Sequence, residues 1–217
     1  MNFKGITYYL GCLCLPISIL AFINVLYSSY FDYFLSIDSY FTTFVCSLTI
    51  GLGFIFISKN SIKKINFIEQ LLLVILSYSL ISLLIAIPFY LSNYQVTFIN
   101  SLFEGISGVT GTGFSIFKDI KYLDPTLILW RSSSQWIGGL YFLFFLIIIF
   151  SNKQFNFKMN DLTFSVDASN NSEDSIKNLL LRIFIIYSLL SLLIFLLLSI
   201  SNIRLFSSLN LSMSLIS

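Results

Sequence analysis

The stretch that decides the fold of this chain is Ser107-Gly108-Val109-Thr110-Gly111-Thr112-Gly113-Phe114, its densest cluster of glycines. Its first three residues end a segment, residues 98–109, whose apolar residues recur with a helical period. A helix of about 10 to 14 apolar residues is too short to cross a bilayer and is typical of a re-entrant segment. The sequence therefore predicts a short helix that enters the membrane and a glycine-rich loop that leads the chain out again.

Long apolar segments surround this loop. The chain is 57% hydrophobic and only 10% charged, with a mean hydropathy of +0.90, whereas soluble domains average about 25% charged residues. Its charges leave five long charge-free runs, each long enough for the roughly 20 residues that span a bilayer. The first run is too long for the apolar part of a signal peptide, so we expect a retained helix. The predicted spans are residues 6–27, 40–58, 68–91, 126–150 and 179–201.

The cationic residues orient these spans, because Lys and Arg accumulate in cytoplasmic loops. Of the 12 Lys and Arg residues, eight fall on one side of the predicted spans and four on the other. The four are Lys118, Lys121, Arg131 and Arg204. We therefore expect a multi-pass protein of the cytoplasmic (inner) membrane with a cytoplasmic N-terminus.

Several classes of function are excluded by composition. The chain has no His, so the match of Gly105-Ile106-Ser107-Gly108 to the G-x-S-G pattern of intramembrane serine proteases lacks the base that activates the serine. Cys12, Cys14 and Cys46 match no zinc or redox spacing. A net charge of +2 argues against nucleic acid. We expect neither an enzyme nor a protein with a cofactor.

The glycine-rich loop has the composition of an ion-binding backbone. Irregular backbone at membrane depth survives only where it is buried in protein or lines a cavity. Glycines let successive peptides alternate in hand and turn their carbonyls inward, as in potassium filters. The C-terminal end of the preceding helix would also favour a cation. The candidate ion-binding residues, acting through their backbone, are Thr110, Gly111, Thr112 and Gly113; the alternative is an extracellular turn of small residues.

An internal repeat links the loop region to the end of the chain. Shifted by 107 residues, Ser101-Leu102 aligns with Ser208-Leu209, and span three falls on span five. One period is a span, a re-entrant helix, a loop and a span. The predicted parts are two N-terminal helices (1–64), a first repeat (65–150), a cytoplasmic loop that is either a linker or a docking segment (151–178) and a truncated second repeat (179–217).

Five segments in a fixed order surround and include the loop: Ile87-Pro88-Phe89-Tyr90-Leu91, Ser101-Leu102-Phe103-Glu104-Gly105-Ile106-Ser107-Gly108, Thr110-x-Thr112-Gly113, Leu129-Trp130-Arg131-Ser132 and Gln135-Trp136-Ile137-Gly138-Gly139. Through these segments the chain resembles the TrkH/KtrB/HKT potassium transporters over residues 65–150, and weakly to 217. The two leading helices resemble those of the TrkH branch. Three features differ from the family pattern: Gly111 stands where Thr is usual, Gly139-Leu140-Tyr141 replaces Gly-Met-Gly, and two further repeats are missing.

The resemblance implies an all-α membrane protein with five transmembrane helices, a re-entrant pore helix and a filter loop, built on a potassium-channel-like repeat. In the complete fold, four repeats surround one pore, and residues 110–113 are the first filter strand. It implies potassium uptake, with the ion as substrate, by a homodimer in the bilayer that carries a cytosolic ring of TrkA-type nucleotide-binding subunits. The alternative is a non-conducting membrane scaffold or an inactive truncated remnant of such a transporter.

Two charged residues flank the loop. Glu104 lies on the predicted short helix and Arg131 opens the fourth span, and an ionisable group at that depth is costly unless it is paired or wet. We expect the two side chains to brace the filter strand. The alternative is that Glu104 faces an outer vestibule while Arg131 extends to the lipid headgroups.

Overall fold

A computed structural model of the protein describes residues 2–59, 66–150 and 172–217, and all regular structure within these ranges is helical. Five helices among these described residues are long and apolar enough to cross a membrane, which confirms the predicted all-α fold with five candidate transmembrane helices. The re-entrant pore helix and the filter loop stay predictions. A 3₁₀ turn, Ile120–Tyr122, precedes the fourth of them. The α-helices are α1 (Phe3–Tyr30), α2 (Phe34–Ile57), α3 (Phe67–Tyr90), α4 (Phe98–Val109), α5 (Pro125–Phe150), α6 (Ser172–Ile200) and α7 (Leu205–Ile216).

The helix bounds differ from the predicted spans mainly at the ends. Helix α6 begins at Ser172, inside the predicted loop 151–178. The rest of that loop, and all but the first residue of the lysine-rich segment Lys59–Lys64, lie outside the described residues. Helix α1 starts earlier than its apolar run because the side chain of Asn2 accepts a hydrogen bond from the Gly5 amide and caps the first turn.

The two N-terminal helices pack through a pair of glycines. A Cβ atom on Gly11 would lie 2.7 Å from the carbonyl oxygen of Gly51, and one on Gly51 would lie 3.2 Å from the carbonyl oxygen of Gly11. Small residues let helix backbones approach closely in lipid. A side chain at Gly11 would therefore force α1 and α2 apart, whereas at Gly51 the neighbouring atoms would have to move by a few tenths of an ångström.

Helix α5 stabilises two proline-containing helices. Pro16 lies inside α1 and Pro88 inside α3, and a proline disturbs the backbone hydrogen bonds of the preceding turn. In each case an aromatic side chain of α5 donates to the carbonyl three residues before the proline: Tyr141 Oη to Leu13 at 2.6 Å and Trp130 Nε1 to Ile85 at 3.1 Å. This arrangement ties α1 and α3 to the helix that follows the glycine-rich loop.

The two short helices lie at the same interval as the predicted repeat. Helix α7 begins and ends 107 residues after α4, at 205 against 98 and at 216 against 109. Each short helix follows a long one, α3 before α4 and α6 before α7. The described part of the chain thus contains two successive pairs of a long helix and a short helix.

Candidate functional site: the loop after the short helix

Helix α4 ends where the glycine-rich loop begins. Its first turn is capped by Thr97, whose hydroxyl accepts a hydrogen bond from the Asn100 amide at 3.4 Å. Its last turn is closed by the Thr110 amide, which donates to the Ile106 carbonyl at 2.9 Å. The backbone then changes hand at Gly111.

The loop uses the conformational freedom of two glycines. Thr110 has φ −84°, whereas Gly111 and Gly113 have φ +66° and +73°. A residue with a side chain would have to adopt the left-handed conformation at either position, at a cost of about 1 to 2 kcal/mol. The backbone therefore alternates in hand, as the sequence predicts for a chain that turns its carbonyls.

Close helix packing fixes the position of α4. A Cβ atom on Gly105 would overlap the carbonyl of Ser82 in α3, and one on Gly138 of α5 would overlap the carbonyl of Val109, the last residue of α4. A Cβ on Gly108 would also meet α5, 2.5 Å from a serine hydroxyl. The short helix is thus held between α3 and α5 by contacts that leave no space for a methyl group.

Glu104 is buried beneath the loop, and both of its carboxylate oxygens are used. Its side chain is on α4 and only 1% of the residue is exposed. One oxygen accepts from the Ser115 hydroxyl at 2.6 Å and from the Ile116 amide at 2.7 Å, and the other faces Arg131 Nε at 3.3 Å. A buried charge persists when it is paired and hydrogen-bonded in this way. The burial of Glu104 disagrees with the alternative in which it faces an outer vestibule.

Arg131 connects this carboxylate to the loop. Its terminal nitrogen donates to the carbonyl oxygens of Gly113 at 2.7 Å and of Phe114 at 3.3 Å. The structure thus brings Glu104, Arg131 and the end of the predicted filter strand together, although they are distant in sequence. The arrangement is that of a brace between two helices and a loop.

The same bond bears on one member of the predicted ion site. A cation on the Gly113 carbonyl oxygen would lie beside the guanidinium of Arg131, and like charges at that distance repel. Ion binding at Gly113 stays a prediction. The carbonyls of Thr110, Gly111 and Thr112 accept no hydrogen bond from any residue the structure describes.

A set of hydroxyl groups ties the loop to the end of α4. Ser107 donates to the Phe114 carbonyl at 2.6 Å, Thr112 donates to the Ser107 hydroxyl at 3.2 Å, and Thr110 donates to the Ile106 carbonyl at 2.7 Å. The sequence analysis weighed the Ser107 hydroxyl as a nucleophile and did not predict this hydrogen bond. The position of Ser107 in the last turn of α4, just before the loop, is the signal that could have indicated it.

The end of α7 lies beside the loop. A Cβ atom on Gly111 would be 3.2 Å from the carbonyl oxygen of Ser217, and one on Gly139 would be 3.0 Å from the Ser217 Cα. Helix C-termini carry partial negative charge, and α4 ends at this loop. Its field favours a cation. Among the described residues, no group of three His, Cys, Asp or Glu residues comes together. The ligands of a cation at this loop would therefore be carbonyl and hydroxyl oxygens.

These features define a multi-pass α-helical membrane protein in which repeated long and short helices converge on a glycine-rich loop. No family model matches the chain. It is 33% identical over 106 residues to the Trk system potassium uptake protein TrkG of Escherichia coli (strain K12), covering 48% of this chain and 22% of that protein. It is 36% identical over 72 residues to the Trk system potassium uptake protein TrkI of Halomonas elongata, covering 33% and 15% of the two chains.

The fold has a solved counterpart. The potassium transporter TrkH from Vibrio parahaemolyticus aligns with 98% of this chain and 42% of its own, at a TM-score of 0.80 and 18% identity. The chain is similar to these Trk system proteins over part of their length, and its fold is that of a TrkH potassium transporter. It spans less than half the length of each of these proteins. The named relatives are transporters, in agreement with the expectation that this chain is not an enzyme.

Proposed function

We propose that the chain supplies one strand of a potassium filter and takes part in potassium uptake across the cytoplasmic membrane. The observation that carries this proposal is the loop 110–113. Its first three carbonyls accept no hydrogen bond from the described residues, while its end is held by Arg131. A rigid backbone with unused carbonyl oxygens can replace the hydration shell of a cation.

The proposed roles of the loop residues, Arg131 and Glu104 are based on the hydrogen bonds described above. Thr110, Gly111 and Thr112 contribute carbonyl oxygens to the ion, and Gly113 supplies the turn whose carbonyl accepts from Arg131. Glu104 neutralises the guanidinium, so that Arg131 can hold the loop with less repulsion of the permeating ion. The membrane potential alone provides about 2.3 kcal/mol per charge per 100 mV, which is sufficient to drive inward movement.

The proposal also covers the orientation of the chain in the membrane, its substrate and its partners. The excess of cationic residues on one side supports a cytoplasmic N-terminus in an inner-membrane protein. The named relatives are potassium uptake proteins, and this supports potassium as the substrate. A homodimer and a TrkA-type nucleotide-binding partner rest on the family resemblance, and the candidate docking segments are Lys59–Lys64 and 151–178.

Rubidium entry tests the proposal. Cells that lack their own potassium uptake would express a complete four-repeat transporter whose N-terminal part is this chain. The proposal predicts entry above the empty-vector level and a loss of potassium preference in Gly113→Ser. The matched control is Gly53→Ser, because a Cβ atom at Gly53 would meet nothing within 4 Å. Entry at the empty-vector level, with normal protein in the membrane, would favour a non-conducting scaffold.

A further inference from the structure

We infer that Ser107 is a positioning residue that fastens the far end of the loop to α4 and thereby sets the direction of the loop carbonyls. Its effect on ion preference rests on the proposed function, whereas the fastening itself does not. Ser107 lies in the last turn-and-a-half of α4 and only 4% of it is exposed.

The Ser107 hydroxyl is used fully by the loop. Its hydrogen is donated to the Phe114 carbonyl at 2.6 Å, seven residues further along the chain. Its oxygen accepts from the Thr112 hydroxyl at 3.2 Å. One buried hydroxyl therefore contacts two positions of the loop and joins both to the helix.

Other buried serines in this protein behave differently. Ser101 on the same helix donates to the Thr97 carbonyl at 3.0 Å, and Ser133 and Ser134 on α5 donate to carbonyls three residues earlier. Such local bonds to the preceding turn are the usual pattern for helical serines. Ser107 forgoes that bond and reaches forward across the loop.

The loop is consequently held at both ends. The Thr110 amide bonds back to α4 at the start. At the end of the loop, the Phe114 carbonyl accepts hydrogen bonds from the Ser107 hydroxyl and from Arg131. Arg131 also donates to the Gly113 carbonyl. Because each peptide unit is planar, fixing these two carbonyls limits the rotation of the peptide planes before them. Without Ser107, Arg131 alone would hold the Phe114 carbonyl, at the longer distance of 3.3 Å.

The test compares Ser107→Ala with Ser101→Ala in the complete transporter. Ser101 is a matched control because it is on the same helix and fully buried, and its hydroxyl bonds only to its own helix. Loss of one hydrogen bond predicts about a threefold to tenfold lower preference for rubidium over sodium in Ser107→Ala. Ser107→Thr, which keeps a hydroxyl, should retain most of the preference.

A second readout is independent of transport. Hydrogen–deuterium exchange in lipid nanodiscs should be faster at the amides of residues 110–117 in Ser107→Ala and unchanged in Ser101→Ala. If exchange in this segment does not rise, the claim that Ser107 holds the loop to α4 is wrong, whatever the transport result. If exchange rises while ion preference is unchanged, Ser107 does not position the ion ligands. If the parent protein fails to take up rubidium, the proposed function fails, and the exchange experiment still decides the role of Ser107.

Discussion

The guanidinium of Arg131 donates a hydrogen bond to the carbonyl oxygen of Gly113 at 2.7 Å. The two residues are brought together because α5 returns alongside the loop that follows α4. The same arginine contacts the buried carboxylate of Glu104 at 3.3 Å. The charge that holds the loop is therefore itself balanced within the protein.

Replacing Gly113 by serine should impair ion selection before folding. Gly113 has φ +73°, so a side chain adds about 1 to 2 kcal/mol of backbone strain. There is space for the added atoms, since the nearest atom to a Cβ is Gln135 Nε2 at 3.6 Å. We expect a lower potassium-over-sodium preference with near-normal expression, measured by competition of each ion with rubidium uptake. An unchanged preference would remove Gly113 from the filter.

The Glu104 and Arg131 variants should behave as a pair. Removing one partner of a buried ion pair costs about 3 to 5 kcal/mol, because the other charge is left without compensation. Glu104→Gln and Arg131→Gln should each reduce uptake strongly, and the double variant should lose less than the sum of the two losses. Arg204→Gln is a control, because Arg204 is an exposed arginine before α7. Additive losses would show that the contact contributes nothing to function.

The indole of Trp130 should stabilise the proline-containing part of α3. Trp130→Phe removes the indole donor to the Ile85 carbonyl, and a single hydrogen bond contributes about 0.5 to 1.5 kcal/mol to stability. Thermal unfolding in detergent should show this loss. The control is Trp136→Phe on the same helix, where the structure describes no hydrogen bond of the indole nitrogen. Equal shifts for the two variants would mean that ring packing, rather than the hydrogen bond, is responsible.

Gly138→Ala should separate α4 from α5. The added methyl group would overlap the Val109 carbonyl, and this backbone atom cannot move without moving the end of α4. Overpacking of this kind costs about 1 to 3 kcal/mol. We expect lower thermal stability and reduced rubidium uptake, whereas Gly53→Ala should change neither. Normal uptake by Gly138→Ala would show that the loop tolerates displacement of the helix behind it.

The sequence predicted the helices better than the loop. Periodicity and charge-free length are local properties, and they located α4 at 98–109 as well as the five long helices. Helix starts such as Ser172 were missed because polar first turns interrupt the apolar pattern. The partner of the Gly113 carbonyl could not be predicted, since the direction of a carbonyl depends on tertiary contacts. The forward bond of Ser107 was missed for the same reason.

The central claim is that residues 110–112, and not Gly113, present carbonyl oxygens to the ion. Anomalous diffraction from rubidium-soaked crystals of the complete transporter tests it most directly. The account predicts a rubidium peak beside the carbonyls of Thr110, Gly111 and Thr112, with the Gly113 carbonyl still bonded to Arg131. A peak coordinated by the Gly113 oxygen with Arg131 displaced, or no peak at this loop, would contradict it.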